Sequence, residues 1–143
     1  MSFLSGRIVV VPFDFSSMAQ TAVKRALEIV EDRSLIHVIF VGQLPSVAEP
    51  GAIYGTVTEE SIRQHCHDSF QDLGKEHSEF AGLHFVTLIG DAGLSICEYA
   101  AQQDAELIVI SSHGRTGIPR LLLGSVAERV VRHASCPVLV LRG

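Results

Sequence analysis

Several features that would place this chain in a familiar class are missing from its sequence. No apolar run approaches the roughly 18 residues that a membrane-spanning helix requires. Residues 1–6 lack the basic-then-apolar layout of a secretory signal. The formal net charge is -5, whereas a surface that binds nucleic acid is expected to be basic. We therefore expect a cytoplasmic protein whose partners include neither a membrane nor nucleic acid.

Cysteine is scarce, and its pattern does not indicate a metal or redox site. The three cysteines, Cys66, Cys97 and Cys136, are far apart, and each falls at or near an apolar position. Small buried thiols in a reducing compartment account for this pattern. His65 and His67 flank Cys66, but residues two apart point to different faces of a helix and do not form a metal-binding pair.

Three motifs of nucleotide and hydrolase chemistry are absent as well. Without GxxxxGKS or GxxxxGKT the chain lacks the lysine of P-loop hydrolysis, and without GxGxxG a dinucleotide cofactor is disfavoured. No GxSxG surrounds Ser16 or Ser17, which disfavours a serine nucleophile. These absences disfavour P-loop, dinucleotide-dependent and serine-hydrolase chemistry and leave enzymatic activity open.

The chain does contain a regular alternation of strand and helix patterns. Its 143 residues, 47% hydrophobic and 19% charged, fit one globular domain. The alternation predicts a mainly parallel sheet with helices on both faces, and ligands at the carboxyl ends of the strands. The long stretch Gly42–Val57 reads as a surface loop. Strands are predicted at Arg7–Phe13, Leu35–Val41, Leu83–Ile89, Glu106–Ser111 and Pro137–Leu141, and helices after Ser17, Thr58 and Asp91 and over Leu121–His133.

Helix starts carry their own signals. Ser17 with Gln20 resembles a capping box, and Asp91 is the expected cap of the helix that follows it. Ser125 with Glu128 also fits a capping box, so the Ser125 hydroxyl either caps its helix or binds a ligand. On the same helix, Arg129 and Arg132 are expected to form the solvated face.

The most informative segment joins the fourth strand to the last helix. A strand runs into the small polar loop Ser111–Gly117, and Gly124-Ser125 then opens an amphipathic helix. Glycine allows an anion to approach the main chain, and the first N–H groups of a helix have no acceptor inside it. The segment therefore indicates a nucleotide or another phosphorylated ligand.

This segment resembles the nucleotide motif of the universal stress protein family. That motif is glycine, two residues, glycine, nine residues, then glycine followed by serine or threonine. Gly114, nine residues and Gly124-Ser125 match its second half, and Ser111 stands in place of the first glycine. The stretches VVVPFDFSS, HVIFV, GDAG and CPVLVLR resemble other landmarks of the family, so the resemblance extends along the whole chain.

The resemblance implies a fold and a function. The fold is one α/β domain over residues 1–143, a flavodoxin-like, adenine-nucleotide α-hydrolase-like three-layer sandwich whose five-stranded parallel sheet has the order 3-2-1-4-5. The function is stress-response signalling or protection through bound ATP or a related adenine nucleotide, with little or no hydrolysis. Mg²⁺ would be carried by the nucleotide rather than held in a protein cage. A homodimer through the C-terminal strand is also implied; a protein partner is not identifiable.

The resemblance also assigns site residues. Pro12 and Asp14 would line the adenosine pocket, where the Asp14 carboxylate can accept ribose hydroxyls. Val41 would present its backbone to the adenine edge. Arg115 is outside the strict motif, but its cation would suit phosphate oxygens. The phosphate side of the expected site consists of Ser111, His113, Gly114, Arg115, Gly124, Ser125 and Val126.

Two alternatives remain open at this stage. If the backbone at Ser111 requires a positive φ, the loop is strained and the chain works as a dimeric interaction module without a nucleotide. If φ is negative, serine costs little and its hydroxyl can donate to a phosphate. His113 invites a general-acid role in a slow nucleotide hydrolase. A loop histidine that packs its ring and hydrogen-bonds nearby groups is the simpler interpretation.

Overall fold

The computed structural model describes residues 4–44, 57–113 and 123–142. None of the helices in these ranges combines the length and apolarity needed to cross a bilayer. The strands are β1 Val9–Pro12, β2 Ile36–Gly42, β3 His84–Ile89, β4 Leu107–Ser111 and β5 Val138–Leu141, and the helices are α1 Ser17–Ile29, α2 Glu59–Glu76, α3 Ala92–Gln102 and α4 Ser125–His133.

The five strands form one parallel sheet in the order β3-β2-β1-β4-β5, which confirms the predicted fold. The winding direction switches between β1 and β4. Their ladder pairs Val9 with Leu107 and Val10 with Ile108. Pro12 at the end of β1 has no N–H to donate. The two strands therefore stop pairing before their carboxyl ends, and open parallel sheets bind ligands at such a position.

The core lies on both faces of the sheet. Side chains alternate along a strand, so Val9 and Val11 pack with α1 and α2, while Val10 packs with α3 and α4. Both faces of β1 are buried, which explains its uninterrupted apolar sequence. In α1 the buried residues are the small apolar ones that the helical periodicity predicted, namely Ala19, Ala22, Val23 and Ala26.

The capping box predicted at Ser17 is wrong, and of the two alternatives for Ser125 the structure excludes capping. The cap of α1 is Ser16, whose Oγ accepts the Ala19 N–H at 3.1 Å, and Ser17 is already helical. The cap of α4 is Gly124, which has no side chain for this task, and Ser125 is likewise the first helical residue. A capping side chain must belong to the non-helical residue that precedes the helix. The predicted cap Asp91 is confirmed, since its Oδ1 accepts the Leu94 N–H at 3.0 Å.

Glu106 precedes β4 instead of beginning it. Its buried carboxylate accepts the Ser5 N–H at 2.6 Å, the Ser5 hydroxyl at 2.9 Å and the Arg7 N–H at 2.5 Å. Burial alone would raise the pKa of Glu106, but these donors outweigh it and hold the pKa below its ordinary value. The carboxylate thereby fastens the chain before β1 to the start of β4.

The three cysteines are free thiols. Cys66 and Cys97 are buried and Cys136 is half-buried, as expected from their apolar sequence surroundings. Burial raises the pKa of each thiol, so none of the three is activated as a nucleophile.

Candidate functional site

A cavity of about 270 Å³ opens where β1 and β4 separate. Its walls come from the carboxyl ends of β1, β2 and β4 and from the first turns of α3 and α4. The alternation of strand and helix patterns in the sequence predicted a ligand at this location, the carboxyl ends of the strands. The lining residues are Pro12, Phe13, Asp14, Ala19, Ile39, Val41, Ala92, Ile96, Ile110, Ser111, Ser112, Gly124, Ser125, Val126 and Ala127.

Backbone hydrogen bonds join the loop after β4 to the start of α4. The Gly124 N–H donates to the Ser112 carbonyl at 2.7 Å, and the Ser112 N–H donates to the Leu141 carbonyl at 2.7 Å. The loop is therefore held between β5 and the last helix. The two segments that the sequence singled out lie side by side, separated in the chain by residues 114–122.

The first turn of α4 supplies backbone donors to the cavity wall. The first intrahelical bond joins the Glu128 N–H to the Gly124 carbonyl at 2.9 Å. The N–H groups of Ser125, Val126 and Ala127 precede that bond and have no acceptor inside the helix. Because these three residues line the cavity, the positive end of the α4 dipole is at its wall.

Part of the cavity lining is apolar. Ile39 and Val41 are two positions apart on β2 and line the cavity from one face of the sheet. Ile110 of β4 and Ile96 of α3 complete this apolar wall. Such a wall suits a flat, weakly polar ring. The period-two alternation in HVIFV and in LIVISS could have identified Ile39, Ile110 and Ser112, which sequence reasoning missed.

The turn after β1 places a carboxylate at the cavity. Asp14 Oδ1 accepts the Ser16 N–H at 3.0 Å, which fixes the side chain relative to α1. Between them Phe15 has a positive φ of 65°, rare for a bulky residue. Its ring packs edge-on against Phe13 at a centroid distance of 4.9 Å, which helps hold this conformation. Nothing in the sequence indicated that Phe15 would take it.

Ser111 fits its position without strain. It is the last residue of β4 and pairs with Leu141 of β5. The positive φ values found at non-glycine residues in the described ranges belong to Phe15 and Asp104, so φ at Ser111 is not positive. The sequence left open whether the backbone at position 111 requires a positive φ. It does not, so serine is accommodated there without backbone strain.

The predicted site residues fall into three groups. His113 is buried and its Nδ1 lies 3.1 Å from Ser112 Oγ, as expected for a structural loop histidine. Gly114 and Arg115 lie outside the described residues. Seven predicted residues border the same cavity: Pro12, Asp14, Val41, Ser111, Gly124, Ser125 and Val126.

One ion pair connects the two helices whose first turns form the cavity wall. Arg129 Nη1 donates to Asp91 Oδ2 at 2.7 Å, while Oδ1 of the same carboxylate caps α3. The Leu94 N–H and the Arg129 guanidinium hold the pKa of Asp91 below its ordinary value. Arg129 and Arg132 are both exposed, as expected, but Arg129 also reaches across to α3.

Metal-binding side chains do not cluster in the part of the chain that the structure describes. No group of three or more His, Cys, Asp or Glu residues there could hold an ion. The charged side chain of the described cavity lining is Asp14.

The sheet order and the cavity at the switch point define a doubly wound α/β fold with a cavity at the strand ends. The family model described as "Universal stress protein family" matches residues 6–142. The chain belongs to this family. The resemblance seen in the motifs is thereby confirmed over almost the full sequence.

Individual relatives agree with this assignment. A universal stress protein from Methanocaldococcus jannaschii is 33% identical over 137 residues, which cover 94% of this chain and 81% of the relative. The structure of UspA from Lactobacillus plantarum has a TM-score of 0.77 at 25% identity, covering 97% of this chain and 99% of that one. A universal stress protein structure from Archaeoglobus fulgidus in complex with dAMP has a TM-score of 0.59 at 23% identity, covering 95% and 98%.

Proposed function

We propose that this protein binds ATP or a related adenine nucleotide in the cavity between β1, β4 and α4 and acts in a stress response through that binding. The observation that carries the proposal is one cavity lined both by apolar side chains and by the first turn of a helix. A nucleotide has the same two halves, a flat base and an anionic phosphate chain.

The base and sugar fit the apolar part of the cavity and the adjoining ends of β1 and β2. The apolar wall of Ile39, Ile96 and Ile110 offers contact to the faces of an adenine ring. Val41 is at the end of β2, where its backbone polar groups can read the adenine edge. Asp14, fixed through one carboxylate oxygen by the Ser16 N–H, can accept ribose hydroxyls.

The phosphates fit the side formed by α4. The N–H groups of Ser125 and Val126, the Ser125 hydroxyl and the Ser111 hydroxyl are donors at the cavity. Gly124 is buried at the helix start and allows close approach to the main chain. The A. fulgidus relative binds dAMP, and another universal stress protein structure is a complex with cAMP. Both ligands combine an adenine base with phosphate.

The proposed mode of action is binding rather than turnover. Among the described lining residues there is no lysine, arginine or histidine to stabilise a transferring phosphoryl group. His113, the residue that a slow hydrolase would use, is buried against Ser112. Mg²⁺ would arrive bound to the nucleotide phosphates, since protein sites for this ion commonly rely on substrate phosphates.

A homodimer through β5 is part of the proposal. β5 is at the edge of the sheet and pairs with β4 on one side. An unprotected edge strand tends to pair with another strand. Leu139 on β5 and Val131 on α4 are large apolar side chains that remain exposed in the single chain. A second copy would cover them, and light scattering at micromolar concentration should give twice the chain mass.

Calorimetric titration of the natural protein with ATP, ADP and AMP tests the proposed function. The informative variant is Ser125→Asp, which adds a carboxylate where a phosphate is expected. An acidic residue in the first helical turn should not destabilise α4, so the loss of ATP binding can be separated from unfolding. We expect at least a tenfold weaker affinity, equivalent to about 1.4 kcal/mol.

Ser17→Asp is the matched control. Ser17 is also exposed and also the first residue of its helix, but it is not part of the cavity lining. This variant should bind ATP like the natural protein. If the natural protein binds none of the three nucleotides, the proposed function is wrong and the nucleotide-independent interaction module takes its place.

A further inference from the structure

The stem of Arg129 crosses α3 at a position where only glycine leaves room. A Cβ added to Gly93 would lie 2.6 Å from Arg129 Cδ, 2.8 Å from its Cγ and 2.9 Å from its Cβ. These separations are far below van der Waals contact. The bare backbone at Gly93 therefore allows the arginine to reach Asp91, 38 residues earlier in the chain.

Both ends of this ion pair adjoin the cavity. Ala92, which follows Asp91 directly, lines it from α3, and Ser125, one turn before Arg129, lines it from α4. The Asp91 carboxylate is needed as the cap of α3. Without a partner, however, this carboxylate would be a full negative charge close to a site for an anionic ligand.

We propose that Arg129 is a positioning residue of the nucleotide site, which holds and neutralises the Asp91 carboxylate so that it does not repel the ligand's phosphates. This inference rests on the proposed function. The pair also joins the capping residue of α3 to α4, the two helices that line the cavity. Arg132, one turn further on, pairs with Glu128 on its own helix and has no such connection.

Loss of the Arg129–Asp91 ion pair should weaken ligand binding more than it lowers the free energy of unfolding. The side chains of Arg129 and Asp91 are 48% and 45% exposed, and ion pairs this exposed contribute little to stability. Coulomb repulsion from a released carboxylate increases with the charge of the ligand. The effect of losing Arg129 should therefore be largest for ATP, smaller for ADP and smallest for AMP. A general loosening of the fold would weaken all three alike.

Arg129→Met tests the inference, because methionine retains an aliphatic stem over Gly93 and removes the charge. Calorimetry at low salt should show ATP binding about fivefold weaker and AMP binding changed less than about twofold. The difference should shrink in high salt, which screens the repulsion. Arg129→Lys should retain most of the ATP affinity.

A second substitution separates charge from shape. In Arg129→Met combined with Asp91→Asn, the amide oxygen can still cap α3 but the negative charge is gone. Most of the lost ATP affinity should return. Arg132→Met is the matched control, because Arg132 is on the same helix and pairs with Glu128 of that helix. It should bind all three nucleotides like the natural protein.

The outcomes distinguish this inference from the function on which it rests. If the natural protein binds ATP but Arg129→Met binds it equally well, the inference is wrong and the proposed function stands. Equal losses for ATP, ADP and AMP, or no recovery in the double variant, would also contradict it. If the natural protein binds no nucleotide, both proposals fail together.

Discussion

The backbone N–H of Gly124 donates to the Ser112 carbonyl at 2.7 Å, which anchors the first turn of α4 to the loop that leaves β4. This bond uses the N–H of the capping residue and leaves those of the first helical residues available. The helix start and the end of β4 therefore act as one wall of the cavity.

The first prediction concerns Ser111, which occupies the place of the first motif glycine. Its backbone is extended and needs no glycine, so Ser111→Gly should gain no ATP affinity. The variant should lose about 0.5–1 kcal/mol of unfolding free energy, because glycine in a strand is entropically costly. Urea denaturation and calorimetry would measure the two quantities. A tenfold gain in ATP affinity would show that serine obstructs the site.

The second prediction concerns the Glu106 carboxylate. Glu106→Gln cannot accept the Ser5 and Arg7 donors as a charged group, so the unfolding free energy at neutral pH should fall by about 1–3 kcal/mol. Because its folded pKa is lowered, the contribution of Glu106 is complete above its ordinary value of 4.5 and is lost as the pH falls through the folded pKa.

Urea denaturation at neutral and acid pH would measure this effect. The difference between natural protein and Glu106→Gln should shrink in acid, because the natural side chain is then protonated too. Glu98→Gln, an exposed position on α3, is the control and should change stability by less than about 0.5 kcal/mol. A stability difference that is the same at both pH values would contradict the role of the charge.

The third prediction concerns His37. Its Nδ1 lies 2.7 Å from the Tyr99 hydroxyl, and its ring stacks on His84 at a centroid distance of 4.1 Å. Burial, and secondarily the charge of His84, lowers the pKa of His37. The unfolded chain therefore takes up a proton first. Stability is complete above the ordinary value of 6.5 and decreases as the pH falls from there towards the folded pKa.

His37→Gln should remove part of that decrease. Urea midpoints at about pH 7.5 and about pH 5.5 would show a smaller change in the variant than in the natural protein. His67→Gln, at an exposed position of α2, should keep the natural pH dependence. An unchanged pH dependence in His37→Gln would mean that other groups cause it.

The fourth prediction concerns the proposed dimer. Leu139 on β5 is 38% exposed, and a lysine there would have to bury its charge in a dimer formed through this edge. Leu139→Lys should therefore shift the light-scattering mass from two chains to one at micromolar concentration. Ile29→Lys is a matched control, since Ile29 is 39% exposed at the end of α1. If Leu139→Lys keeps the mass of two chains, as Ile29→Lys should, the interface lies elsewhere.

Local patterns were sufficient for the main elements of the fold. The apolar runs of the five strands, the small-residue stripe of α1 and the Asp91 cap each depend on neighbours within a turn or a few residues of the chain. The spacing of the motif residues also indicated which residues should border a ligand site. That indication came from the resemblance to the family's motif and not from positions in space. Capping boxes were less reliable, because Ser17 with Gln20 fits the pattern while the cap is Ser16, whose third following residue is Ala19.

Local periodicity and backbone preference were enough to locate the strands, the helices and the small-residue loop before the last helix. Contacts between residues far apart in the chain follow instead from how the elements pack. Glu106 receives the Ser5 N–H across 101 positions, and Arg129 reaches Asp91 across 38. Charged side chains of this kind look like ordinary surface residues in a sequence, since their partners are chosen by the packing of the folded chain.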